Sequence, residues 1–129
     1  MKIDAVAVTS SDLHRTLAFY SCLGFDFPEI EEGQDHVEPH TSPGSVRLMI
    51  DTRELMQGII GEAPRPGNHS SFAIRYERPL DIDAVCDQIN AAGFELVNEP
   101  WDAFWGQRYA IVADPDGYRV DLFCPLEAE

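Results

Sequence analysis

Two stretches of this chain repeat one another, and that repeat limits the folds open to it. Leu-Ala-Phe-Tyr-Ser-Cys-Leu-Gly-Phe25 and Val-Cys-Asp-Gln-Ile-Asn-Ala-Ala-Gly-Phe94 share an apolar stripe, a closing glycine and a following phenylalanine. In the first, Leu13, Leu17, Tyr20 and Leu23 recur at helical spacing from an N-cap among Ser10, Ser11 and Asp12. In the second, Asp81 can cap a helix whose stripe is Ile82, Val85, Ile89 and Ala92. Gly24 and Gly93 stop the two helices.

Strand patterns flank each helix. Ile3 to Thr9 alternates before the first helix, and His69 to Tyr76 precedes the second. Phe25 to Phe27, His36 to His40 and Val46 to Asp51 are strand-like, and Pro39 places the middle one on an edge. In the second copy Phe94 opens a strand, and Arg108 to Ala113 and Tyr118 to Phe123 form a hairpin. Ser42-Pro-Gly-Ser45 and Asp114-Pro-Asp-Gly117 occupy equivalent turns, with Pro fixing φ and Gly free to take φ > 0.

The expected fold class is therefore α+β: one domain over 1–129, built of two βαβββ modules. Module one is 1–56, a Gly- and Pro-rich connector is 57–68, and module two is 69–127. Each module is too small to bury both faces of its sheet. The expectation is that they pair into a curved mixed sheet around a cleft, with helices on the outer face.

The length suits one domain, and 44% hydrophobic against 25% charged residues argues for a globular chain. Nine Lys and Arg against 23 Asp and Glu give a net charge of −14, which excludes nucleic acid and anionic membrane surfaces as expected partners. The acidity would attract a cationic ligand, or it only keeps the protein soluble. Cys22, Cys86 and Cys124 are odd in number and form no metal knuckle or disulfide framework. With no signal-peptide pattern and no long apolar run, a reduced, cytoplasmic protein is expected.

Trp101, Phe104 and Trp105 sit within five residues, just before the last hairpin. Such rings offer flat apolar walls and cation–π faces to a ligand, or plug an interface between modules. Trp105-Gly-Gln-Arg-Tyr109, Asp114-Pro-Asp-Gly117 and the apolar strand after them resemble the closing hairpin of the vicinal oxygen chelate superfamily. That superfamily contains glyoxalase I, extradiol dioxygenases and the bleomycin-resistance proteins, and the resemblance, closest to the last of these, covers nearly the whole chain. It implies the same βαβββ fold and a homodimer.

In metal-using relatives, ligands come from equivalent strands of the two modules. By resemblance His69 and Asp121 take two of those places, while Ala5 and Leu48, which have no donor atom, take the other two. A catalytic transition metal usually needs three protein ligands, so no metal or other cofactor is expected; if there is one, His69 and Asp121 hold it. His36 and His40 are surface groups or a replacement ligand. Arg108 either holds a ligand anion or ties to Asp102 or Asp114, and Tyr109, with its acidic hydroxyl, lies on the opposite face and bonds a ligand or packs. No nucleophile elbow, dinucleotide fingerprint or P-loop occurs.

Three readings follow, the last of them a structural dimerisation module whose cleft is closed by its own side chains. In the first, the chain is a sequestering or antibiotic-resistance-type protein that binds an aromatic or cationic small molecule in the cleft without a metal, through Trp101, Phe104, Trp105, Arg108, Tyr109, His69 and Asp121. In the second it is a lyase, isomerase or dioxygenase of the same superfamily using a divalent metal.

Overall fold

The computed structural model describes residues 1–127 and divides into two compact units, Met1–Pro66 and a second that begins at Gly67. The first contains β1 (Ala5–Ser10), α1 (Leu13–Cys22), β2 (His36–Val37), β3 (Arg47–Thr52) and α2 (Arg53–Ile60). Its sheet runs β1-β3-β2, with β1 parallel and β2 antiparallel to β3. Val8, Val37, Leu48 and Ile50 fill its core. The buried stripe of α1 is Thr16, Phe19, Tyr20 and Leu23, rotated from the expected Leu13-Leu17 line. The Thr16 hydroxyl meets that of Ser10 at the end of β1, which satisfies both polar groups inside the core.

Three expectations change here. Phe25 to Phe27 forms no strand; one backbone bond, His40 N–H to Asp26 C=O at 2.8 Å, joins it to the facing segment. Its rings are held by packing instead, with Tyr20 and Phe25 6.0 Å apart and Phe25 and Phe27 6.4 Å apart. The His36–His40 strand shrinks to His36–Val37, because Pro39 has no N–H to extend the ladder. The start of the expected connector is helical. Thr52 Oγ1 accepts from the Leu55 N–H and Gly61, at φ 87°, closes the last turn, and these two caps outweigh the roughly 1 kcal/mol that Gly58 costs inside α2.

The second unit is a complete βαβββ module: β4 (Ser70–Arg75), α3 (Pro79–Ala91), β5 (Glu95–Ala103), β6 (Gln107–Ala113) and β7 (Arg119–Pro125). The order is β4-β7-β6-β5, with β4 parallel to β7 and the other pairs antiparallel. Helix α3 starts before the expected cap. Pro79 takes the first turn, where its missing N–H costs nothing, and the Asp81 carboxylate reaches back to the Arg78 N–H at 3.1 Å. Ile82, Cys86 and Ile89 are buried, as are Ala110, Val112, Val120, Leu122 and Cys124 of the sheet beneath α3.

The turn after β6 forms as its residues require. Gly117 lies at φ 97°, and the buried Asp114 carboxylate accepts from the N–H groups of Asp116 and Tyr118. The aromatic stretch is less of a loop than expected. Trp101 ends up inside β5, and only Phe104-Trp105-Gly106 turns the chain, with Gly106 N–H bonding Ala103 C=O at 3.0 Å.

Candidate functional site

Directly opposed residues in neighbouring strands share a face of the sheet. In the second unit Ile74, Leu122 and Ala110 are opposed on the face that α3 covers. Asp121 is opposed to Ala73 and Ile111, and Tyr109 to Trp101, on the face turned away from α3.

Asp121 is the centre of that face. Its Oδ1 accepts from the Ser70 hydroxyl and its Oδ2 from the Tyr109 hydroxyl. A carboxylate has about four lone-pair sites, so two remain for a ligand's N–H or O–H. Burial and the bond to Asp121 push the Tyr109 hydroxyl up to about 12. It is thus a proton donor fixed in place, and not the acidic phenol expected from the sequence.

Beside it the rings pack edge to face. Trp105 stands 5.3 Å from Tyr109 and 5.9 Å from Trp101, and Trp101 stands 5.5 Å from Tyr109. The Trp105 indole N–H donates to Gln107 Oε1 at 2.8 Å, which orients the ring. Phe104 leans on Trp105 at 5.0 Å yet is 96% exposed, and Trp105 is 48% exposed. Large rings left this open are costly unless something covers them.

Arg108 does not join this group. It alternates onto the other face and bonds Asp83 of α3 at 2.7 Å and Asp102 at 3.1 Å, and its guanidinium pKa is raised first by Asp83. It fastens the helix to the hairpin.

His69 also stands apart from Asp121. It precedes β4, is exposed, and its Nδ1 bonds the Ser70 carbonyl. Its ring folds over Gly67 so closely that a Cβ there would come within 2.8 Å. The cause is a bulge: Ser70 is opposed to Arg119 but Phe72 to Val120, so Ser71 is an extra residue. Unbroken alternation would line up His69, Ser71, Ala73 and Arg75. The bulge gives the place beside Asp121 to Ser70, a residue the sequence offered no reason to select.

In the first unit Leu48, which the resemblance puts in one of the ligand places, lies on the buried face. Ala5, Arg47 and Met49 share the opposite face, and none of them is a carboxylate. His36 lies on that face as well, between Asp51 at 2.6 Å and Glu38 at 2.7 Å. Arg47 bridges Glu38 and Asp4. Hydrogen bonding to Asp51 first, then to Glu38, raises the His36 pKa. His40 lines an open depression of about 390 Å³ with Asp26 and Glu38.

The donor set does not fit a transition metal. Asp121 already binds two hydroxyls, its neighbours are Ser70, Ala73 and Tyr109, and among the described residues no three His, Cys, Asp or Glu are placed to hold an ion.

The family model for the glyoxalase/bleomycin resistance protein/dioxygenase superfamily matches residues 2–122. The chain belongs to that superfamily. This member of the glyoxalase superfamily is similar to a glyoxalase-related enzyme from Fulvimarina pelagi, at 19% identity over 96% of this chain and 88% of that one, with a TM-score of 0.79. A hypothetical protein from S. aureus matches at 18% identity over 96% and 93%, with a TM-score of 0.77. A lactoylglutathione lyase from Agrobacterium tumefaciens matches at 17% over 95% and 92%, with a TM-score of 0.68. At these identities the likeness of this glyoxalase-superfamily chain to them is one of fold. No curated protein matches it.

Proposed function

We propose that this protein binds a small aromatic molecule on the face of β4–β7 turned away from α3, and that it does so without a metal. The observation that carries the reading is Asp121, held by the Ser70 and Tyr109 hydroxyls beside the Trp101–Trp105–Tyr109 rings. The rings supply apolar area at low entropic cost, and the carboxylate orients a polar group of the ligand. Sequestration, as in the bleomycin-resistance proteins it resembles, needs no more chemistry than this. Both hydroxyls of the group, those of Ser70 and Tyr109, donate to Asp121, and Tyr109 keeps its proton.

The test is a tryptophan-fluorescence screen of monocyclic and bicyclic aromatic compounds against the native protein. Quenching that saturates is expected, with affinity reduced about tenfold or more in Trp101→Ala, as loss of a buried ring contact implies. Absence of saturable quenching, or ligands that bind Trp101→Ala equally well, would overturn the reading.

A further inference from the structure

The strand register sets four side chains in a line across the second sheet. Arg75 of β4 is opposed to Phe123 of β7, Phe123 to Tyr109 of β6, and Tyr109 to Trp101 of β5. All four are on the Asp121 face. At about 4.8 Å between strands, the row spans roughly 14 Å. That is the length of a one- or two-ring molecule with a short side arm.

Arg75 stands at the end of this row. It is exposed, and it has no ion-pair partner among the described residues, although the chain has 23 acidic residues against 9 basic ones. By contrast Arg47, Arg65, Arg78 and Arg108 all have carboxylate partners, and Arg119 on the same face bonds the Asn68 carbonyl. A guanidinium free of carboxylates in so acidic a chain keeps its planar fork of donors for an external oxyanion. The net charge of −14 opposes an anion at long range. That repulsion is screened beyond about 8 Å at physiological salt, whereas a direct fork contact is not.

We infer that the ligand is an aromatic carboxylate. Resting on the binding reading above, the row assigns its parts: the carboxylate on Arg75, the ring along Phe123, Tyr109 and Trp101, and a hydroxyl or N–H of the ring donating to Asp121. The site thus selects an anion, and the overall acidity of the chain serves solubility.

Three probes with one ring and different side-arm charge test this: 4-hydroxyphenylacetate, 4-hydroxyphenylacetamide and tyramine, titrated by tryptophan fluorescence and calorimetry against the full chain. The acid is expected to bind most tightly. Arg75→Gln is expected to weaken the acid about tenfold and leave the amide within about twofold, and Arg75→Lys to lie between them, since a lone ammonium keeps the charge but not the fork. Because Arg75 is exposed, these variants should fold, and unchanged binding of the amide verifies it. Tighter binding of tyramine than of the acid, or equal binding of the acid by Arg75→Gln, would overturn the anionic end alone and leave the aromatic site standing. If none of the three probes binds, both fall.

Discussion

Asp121 illustrates what a residue's place does to its neighbours. It holds Tyr109 in the protonated form by accepting its hydrogen, on top of the larger effect of burial. In Asp121→Asn the charge is gone while the burial remains, so the Tyr109 hydroxyl should titrate lower than in the native protein. Tyrosinate absorbance from pH 9 to 13, with Tyr109→Phe to assign the transition, measures the shift; an unmoved transition would mean that Asp121 does not engage the phenol. At this scale the sequence was partly legible. Tyr109 and Asp121 were visible as hairpin residues, because alternation in β6 and β7 is unbroken, and Trp101 was visible through the run of aromatic residues before the hairpin. Ser70, Phe123 and Arg75 were not, because their membership depends on the register between strands, which no single strand encodes.

Among the elements, β2 is the shortest and depends most on side chains. Two residues pair with β3, and His36 adds contacts to Asp51 and Glu38. The His36 pKa is raised above the ordinary 6.5, so its contribution to stability is complete below about 6.5 and is lost as pH rises through the folded value. Glu38 is lowered, chiefly by His36, and its contribution is present above about 4.5 and lost on acidification through its folded value. Arg47 joins this pair through Glu38 and is held in turn by Asp4. Denaturation midpoints should therefore fall between pH 6 and pH 9 in the native protein, and His36→Gln should flatten that decline. A slope that His36→Gln does not alter would remove the histidine from the account. The helices and long strands were legible within a few residues because their period and caps are local. Helix α2 was missed because Gly58 and Gly61 were read as breakers, where Gly61 is the left-handed residue that closes the helix.

For the molecule as a whole, the repeat was the most informative signal, and it led correctly to an α+β chain built on two related modules, with the superfamily then reached through the last hairpin. The resemblance misled where it carried ligand places onto the first copy. It put Leu48 opposite Asp121 in role, yet Leu48 is 2% exposed and faces the core. Elemental analysis of protein purified without a tag or chelator should find no stoichiometric transition metal; a near-equimolar metal would overturn the metal-free reading and favour a lyase, isomerase or dioxygenase. The bulge at Ser71 bears on the same question. β1 and β3 pair without interruption, while β4 and β7 are offset by one residue. The extra residue sets Ser70 in place of Ser71 opposite Arg119 and turns His69 onto the other face of the strand. Which side chain this strand presents beside Asp121 is therefore set by the number of residues at its start as much as by their type.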